Sequence, residues 1–189
     1  MRSATIHKDH ATFRVVLQAM SHPGTTCQLP VLVPIAGEHA PLIQLLSCLM
    51  DNEVSFSIVG DDAGGLANDI SMHTGSIQSN ISESNFVIAT KGTTSGQLSL
   101  IKRGTLEYPD GGATIVYLVD EIAEAEGTAE LSGPGINGTV RPRIAGLATS
   151  ELRELREINA EYPLGVDSMF LDTNGRITCI PRSTQIGEY

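Results

Sequence analysis

Three arginines are the side chains best suited to hold a ligand. Arg141 and Arg143 follow a glycine- and proline-rich segment at residues 133–138, and Arg182 follows Pro181. A guanidinium group binds a carboxylate or a phosphate through paired hydrogen bonds, so these arginines could form a small anion site. Two other interpretations stay open and are favoured. The arginines could pair with acids of the same chain, or they could contact a partner chain, because arginine is frequent at protein interfaces.

His73 is a further candidate for binding. It precedes Thr74 and Gly75 at the expected end of a helix, where a C-terminal cap is the ordinary interpretation. Polar residues beside loops also carry function in many proteins. His73 therefore joins Arg143 and Arg182 as a candidate ligand-binding or interface residue.

Complete catalytic and cofactor motifs are missing from the sequence. Residues 133–138 match G-x-G-x-x-G, but Pro142 blocks the helix that a dinucleotide site needs, so they predict a tight turn. The sequence contains no G-x-x-x-x-G-K-[ST] phosphate loop, no H-E-x-x-H zinc motif and no G-x-S-x-G nucleophile motif. Lys8, Lys91 and Lys102 are interpreted as surface residues rather than as Schiff-base lysines. We therefore predict no catalytic, cofactor-binding or metal-binding residue.

The composition excludes some classes of partner. The 189 residues include 22 Asp and Glu against 12 Lys and Arg, a net charge of −10 that disfavours nucleic acid binding. No apolar run approaches the roughly 20 residues that cross a bilayer, and the N-terminal residues lack an apolar signal core. The three cysteines have no redox or metal spacing. A cytoplasmic protein without a membrane segment is expected.

Predicted helices and strands alternate along the chain. Helices are predicted at residues 9–20, from Pro41 onward, at 66–73 and from Thr149 or Ser150 to 160, with a short helical turn at 96–102. Strands are predicted at 54–59, 86–89, 113–119, 128–131, 168–171 and 176–180, and an edge segment at 29–35. In the last helix the Thr149 or Ser150 hydroxyl is expected to cap the start, with Glu151 and Glu154 near its positive end.

This alternation predicts an α/β fold with one central sheet. The sheet is expected to be mixed, because Asn174 and Gly175 predict a hairpin between the last two strands. No linker or repeat divides the sequence, so residues 1–189 are expected to form a single domain. The apolar face of the last helix predicts that Leu155 is buried, and Gly165 is expected to adopt a positive φ.

Several short motifs occur in a characteristic order along the chain. The segment at residues 13–24 is FRVVLQAMSHPG, residues 162–167 are YPLGVD, and residues 180–184 are IPRST. These segments resemble F-R-x-x-L-x-A-M-S-x-P-G, F-P-L-G-[VI]-D and L-P-R-T-T of the PhnH family. Proteins of that family are components of the bacterial carbon–phosphorus lyase system for phosphonate utilisation.

The resemblance covers nearly the whole chain. Residues 73–75, 109–114 and 131–136 also fall in the order of the family. The departures are Tyr162 for a usual Phe, Ser183 for a usual Thr and Asp110 for a usual Glu, and each conserves shape or charge.

The resemblance implies a role within an assembly. Members of the family act with subunits G and I and an ATP-binding-cassette protein to convert ATP and an alkylphosphonate into a ribose 1-phosphonate 5-triphosphate. A separate radical subunit, J, later cleaves the carbon–phosphorus bond. The resemblance further implies a three-layer domain similar to the pyridoxal-phosphate-dependent transferases, without their cofactor site and without a bound cofactor. It also implies a homodimer when the protein is isolated.

Two hypotheses about function follow from the resemblance. In the first, the chain is a structural subunit of the complex and is not catalytic alone. In the second, it holds a nucleotide or a phosphonate in a vestigial pocket, with Arg182, Arg143 and His73 as the first candidate residues. The second hypothesis predicts that charge reversal at Arg182 abolishes ligand binding without unfolding the chain.

Overall fold

The helices form mainly where apolar residues recur at helical spacing. The computed structural model describes residues 2–30, 39–60, 65–127 and 129–187. Within these ranges the α-helices are α1 (Arg2–Ser21), α2 (Ala40–Leu49), α3 (Leu66–Thr74) and α4 (Thr149–Ile158). Pro41 lies in the first turn of α2, and Gly75 ends α3 in the left-handed conformation, as their residue types predict.

The strands of the described residues build one large sheet and two small ones. In chain order they are β1 (Cys27–Gln28), β2 (Ser55–Val59), β3 (Ile77–Gln78), β4 (Phe86–Ala89), β5 (Thr114–Val119), β6 (Glu121–Ala123), β7 (Leu131–Ser132), β8 (Arg143–Ala145), β9 (Asp167–Asp172), β10 (Arg176–Ile180) and β11 (Gln185–Ile186). The large sheet has seven strands in the order β1-β10-β9-β5-β4-β2-β3, whereas β6 pairs with β8 and β7 with β11.

The large sheet is mixed, as the sequence predicts. The neighbours β3, β2, β4, β5 and β9 are parallel, β10 is antiparallel to β9, and β1 is antiparallel to β10. The change of direction occurs at the predicted hairpin, where Gly175 has a φ of +77°. The α/β class and the mixed central sheet are therefore confirmed.

Helices cover both faces of the large sheet. Successive residues of a strand point to opposite faces, and on β5 Tyr117 belongs to one apolar cluster and Val116 to the other. The first cluster packs under α4 and the second under α1, α2 and α3. The fold thus consists of helices, sheet and helix in three layers.

Some predicted boundaries differ from the structure. Helix α1 begins at Arg2 rather than at residue 9, since no Gly or Pro interrupts the polar residues before the apolar periodicity starts. The edge strand β1 lies before the predicted segment 29–35, of which residues 31–35 fall outside the described residues. The predicted strand at 128–131 is displaced to β7. The strands β3, β6, β8 and β11 escaped prediction, because two or three residues are too short to show a period.

Leu155→Ala is expected to destabilise the fold by about 2–5 kcal/mol, because it leaves a cavity between α4 and the sheet. Leu155 is 0% exposed in the cluster under α4. Urea unfolding would measure the change. Leu106→Ala is the matched control, since Leu106 is 77% exposed and should shift stability by less than about 0.5 kcal/mol. Equal shifts for the two variants would contradict the burial of Leu155.

Candidate functional site

Arg182 is held by contacts within the chain. Its Nε and Nη2 donate to Asp167 Oδ2 at 3.1 and 2.7 Å, and its Nη1 donates to the Pro109 carbonyl at 2.6 Å. The Arg182 and Asp167 side chains are 14% and 22% exposed. The guanidinium therefore ties the segment after β10 to the start of β9 and to the turn before β5. This contact agrees with one of the two interpretations favoured from the sequence, namely pairing with an acid of the same chain.

A second set of contacts lies beside this ion pair. The Asn159 side chain exchanges two hydrogen bonds with the backbone of Val166, donating to the carbonyl at 3.1 Å and accepting from the N–H at 2.8 Å. Gly165 has a φ of +143°, as expected, and an added Cβ would collide with Asn159 Oδ1. We call Pro109, Asn159, Gly165, Asp167 and Arg182 the Arg182 junction.

The glycine-rich segment at residues 133–138 packs near the Arg182 junction. Residues 133–136 form a turn in which the Ile136 N–H donates to the Gly133 carbonyl at 3.1 Å, so the predicted tight turn is confirmed. An added Cβ at Gly135 would collide with the Ser21 carbonyl at the end of α1. Gly133 lies against the Ser183 carbonyl, at 3.2 Å from the position of its Cβ. The motif thus joins α1 to the segment that contains Arg182.

Gly165→Ala is expected to cost about 3–4 kcal/mol, because the new methyl group displaces Asn159 and the backbone keeps an unfavourable φ. Equilibrium urea unfolding is the measurement. Gly138→Ala is the control for a methyl group at a positive φ in open space, since Gly138 has a φ of +80° and no atom within 4 Å of its Cβ position. This control should cost only about 1 kcal/mol. A similar cost for both would show that neither the contact with Asn159 nor the larger φ of Gly165 adds to the cost.

The other predicted candidates lie apart from Arg182. His73 is exposed on α3, and its Nδ1 lies 2.8 Å from the Asp69 carbonyl of the same helix, consistent with a role at the helix end. Arg143 is exposed on β8 and lines a groove of about 410 Å³ with Leu152 and Ile180. Because α3 and β8 pack on opposite faces of the sheet, His73 and Arg143 do not share one site.

Arg141 lies on the surface. It pairs with Glu130 at 2.8 Å, and the two side chains are 48% and 39% exposed. Hydrogen bonding to Glu130 and the charge of that carboxylate raise the pKa of Arg141. This ion pair resembles the Arg182–Asp167 pair in length but differs from it in exposure to solvent.

A crevice is lined by polar residues from several elements and lies at the opposite end of the parallel strands from the Arg182 junction. It has a volume of about 490 Å³ and lies at the carboxyl ends of β4, β5 and β9, next to the first turn of α2. Its polar lining residues are His39, Thr90, Lys91, Asp120, Asp172 and Thr173. Parallel strands place their carboxyl ends at one edge, where open α/β sheets bind ligands. Lys91 was interpreted from the sequence as a surface residue, and this grouping was not predicted.

The polar groups of the crevice differ in how they are bound. The buried Asp172 carboxylate accepts hydrogen bonds from the backbone N–H groups of Asn174, Arg176 and Ile122, so it shapes the turn after β9. Lys91 and Asp120 are exposed at the crevice. A signal for the crevice exists in the sequence, because these polar residues follow directly after predicted strands.

Glu151 is a buried acid for which the sequence predicted only a position near the start of a helix. It is 0% exposed, and its carboxylate accepts hydrogen bonds from the Thr94 N–H at 2.7 Å and the Tyr117 hydroxyl at 2.8 Å. Burial and the Glu151 charge raise the pKa of Tyr117, so the hydroxyl remains a donor. The predicted hydroxyl cap of α4 is wrong, because Ala148 is the N-cap and no side chain caps the helix. Glu151 instead ties α4 to the sheet.

Two kinds of feature are absent from the part of the chain that the structure describes. It contains no group of three or more His, Cys, Asp or Glu residues placed to hold a metal ion. None of its helices combines the length and the apolar character needed to span a membrane.

Comparisons with known proteins cover nearly the whole chain. The family model described as bacterial phosphonate metabolism protein (PhnH) matches residues 2–187. The putative C-P lyase subunit protein HtxG of Stutzerimonas stutzeri is 29% identical over 181 residues, which cover 95% of this chain and 86% of that protein. The alpha-D-ribose 1-methylphosphonate 5-triphosphate synthase subunit PhnH of Rhizobium meliloti (strain 1021) is 27% identical over 187 residues, or 96% and 91% of the two chains.

Proposed function

Because the chain belongs to the bacterial phosphonate metabolism protein (PhnH) family, we propose that it contributes a structural surface to a carbon–phosphorus lyase complex. Its relatives are named as a C-P lyase subunit and as a subunit of a ribose 1-methylphosphonate 5-triphosphate synthase. In this proposal the chain works with subunits G, I and J and an ATP-binding-cassette protein. Together they form a ribose 1-phosphonate 5-triphosphate from ATP and an alkylphosphonate, and the chain is not catalytic alone.

The proposal extends to the state of the protein. We propose that it is a cytoplasmic protein with one domain over residues 1–189, similar in fold to the pyridoxal-phosphate-dependent transferases but without a cofactor site. We further propose that it forms a homodimer when isolated. The alternation of helices and strands over a mixed sheet supports this fold, and the family match along the chain supports the single domain.

One observation carries the structural role. The polar groups of the Arg182 junction form hydrogen bonds within the chain. Two exposed tyrosines lie beside that junction. Tyr108 precedes Pro109 and is 69% exposed, and Tyr162 is 66% exposed near Gly165. Tyrosines on a rigid support are typical of the residues that dominate binding between subunits. We propose that this tyrosine surface contacts another subunit of the carbon–phosphorus lyase complex.

Native mass spectrometry of the tagged chain, purified from cells with a phosphonate as sole phosphorus source, tests this role. Wild type should co-purify with the other subunits in fixed stoichiometry, whereas the double variant Tyr108→Ser, Tyr162→Ser should lose them and keep its melting temperature. The matched control is Met72→Ser, Ile77→Ser, at side chains 67% and 68% exposed on α3 and β3. A wild-type chain reproducibly free of partners would overturn the role. Equal retention by both double variants would overturn the surface.

Direct binding of a nucleotide or a phosphonate is the second proposed function. The crevice at the carboxyl ends of β4, β5 and β9 favours it, because it brings charged groups of both signs to one cavity. His73, Arg143 and Arg182 stay candidates for contacts with a ligand or a partner. The contacts of Arg182 change one expectation, however: charge reversal there should now disturb the fold itself.

A further inference from the structure

We propose that Asn137 is a site of spontaneous modification, at which the folded chain loses the side-chain amide. The sequence contains two Asn-Gly pairs, Asn137-Gly138 and Asn174-Gly175. Asparagine is a thermolabile residue, and a following glycine favours its loss because no Cβ hinders the approach of the glycine nitrogen. The two pairs lie in different surroundings, so the fold decides which of them reacts.

The reaction needs no partner other than water. The Gly138 nitrogen forms a bond to Cγ of Asn137, the bond from Cγ to the amide nitrogen breaks, and ammonia leaves with the proton of the Gly138 N–H. The cyclic succinimide then takes up one water molecule at either of its carbonyl groups. The product is aspartate or isoaspartate, and in isoaspartate the backbone continues through the side-chain carbon.

Asn137 and Gly138 present both reacting groups at the surface. Both residues are exposed in the loop between Leu131 and Val140. Neither the Asn137 side chain nor the Gly138 N–H forms a hydrogen bond with a residue that the structure describes. Apart from its chain neighbours, no described atom lies within 4 Å of the Cβ position of Gly138. The nitrogen can therefore turn toward Cγ without breaking a contact at this glycine.

Asn174 and Gly175 are held in the hairpin between β9 and β10. The Gly175 N–H donates to the Asp172 carbonyl at 3.0 Å, so the attacking nitrogen is occupied. The Asn174 carbonyl accepts from Gln28 Nε2 at 2.9 Å, and the Asn174 N–H donates to Asp172 Oδ1 at 2.9 Å. Gly175 is buried, and Leu29 lies 3.7 Å from its Cβ position. Attack at Asn174 requires these contacts to break first.

The modified loop is anchored on both sides of Asn137. Before it, Gly135 packs so closely on the Ser21 carbonyl that an added Cβ would collide with it. After it, Val140 exchanges two backbone hydrogen bonds with Leu131, at 2.8 and 3.0 Å. Isoaspartate lengthens the backbone between these anchors, whereas aspartate adds only a charge. The modification thus alters the chain between two fixed points of the fold.

Incubation of the purified full-length chain at mildly alkaline pH, followed by peptide mapping with mass spectrometry, tests the proposal. In the folded chain Asn137 should lose its amide at least about tenfold faster than Asn174. In urea the two asparagines should react at similar rates, because the contacts around Asn174 are then absent. Gly138→Ala should slow the reaction at Asn137 by about tenfold or more, since its methyl group hinders the attacking nitrogen.

The outcomes at the two asparagines decide the matter. Fast loss at Asn137 with protection of Asn174 supports the site. Equal rates in the folded chain would overturn it, as would a loss at Asn137 at least about tenfold slower in the folded chain than in urea. An unchanged rate in Gly138→Ala would contradict attack by the glycine nitrogen, as would failure of an isoaspartyl methyltransferase to label the peptide that contains residue 137. None of these rates depends on partner subunits, so they test this inference separately from the structural role.

Discussion

Arg182→Glu is expected to destabilise the chain by at least about 4 kcal/mol, enough to unfold much of the population of a domain of ordinary stability. The substitution removes the guanidinium that donates two hydrogen bonds to Asp167 Oδ2, and it sets two carboxylates side by side where both side chains are mostly shielded from solvent. It also deprives the Pro109 carbonyl of its donor. Equilibrium urea unfolding, followed by circular dichroism, gives the change in free energy.

Arg141→Glu is the control for this experiment. Its ion pair with Glu130 has a similar length, 2.8 Å against 2.7 Å, but is far more exposed. Solvent screens an exposed pair, so this reversal should cost no more than about 1 kcal/mol. If the two reversals have the same effect, the Arg182 junction does not hold the fold together. Partner loss in Arg182→Glu could then be attributed to a surface contact.

Glu151→Ala is expected to cost about 3–5 kcal/mol, because the donors that now bind its carboxylate lose their acceptor in a site closed to water. Thr94 and Tyr117, which supply an N–H and a hydroxyl to this carboxylate, are both 0% exposed. The Tyr117 ring stacks on Phe170 with centroids 5.1 Å apart, so the hydroxyl cannot turn to solvent without disrupting the core. Thermal and urea unfolding would report the loss.

A double-mutant cycle identifies the origin of that loss. Tyr117→Phe removes one donor and should cost about 1 kcal/mol in the wild type but less in the Glu151→Ala background. Glu157→Ala is the control on the same helix, at an exposed position, and should change stability by less than about 0.5 kcal/mol. Additive effects of the Glu151 and Tyr117 changes would disprove the coupling between α4 and β5.

The Asp167 and Glu151 carboxylates bear on function because each holds a residue or a loop that supports one of the candidate surfaces. Asp167 fixes Arg182 beneath the tyrosine surface, whereas Glu151 fixes the loop that follows β4, which also carries Lys91. Loss of ligand or partner binding in a variant of either acid would therefore report altered support. The exposed residues Tyr108, Tyr162, Lys91 and Asp120 are the proper places to test contact itself.

Local sequence signals were enough for the central part of the fold. The strand at Phe86–Ala89 and the hairpin at Asn174 and Gly175 lie where the residues predict them, because apolar runs and turn residues act over short distances. The end of α3 at Gly75 and the positive φ of Gly165 were predictable for the same reason. The family motifs were equally visible, since they are short and occur in order.

Only the tertiary structure decided which polar residues meet. Asp167 at the start of β9 pairs with Arg182 after β10. Glu151 of α4 accepts hydrogen bonds from Thr94 and Tyr117 in other parts of the fold. No spacing in the sequence predicts these contacts. The same holds for Lys91 and Asp120, which approach because parallel strands end at one edge of the sheet. The residue types fixed which interactions were possible, whereas the packing of the sheet against its helices selected the ones that form.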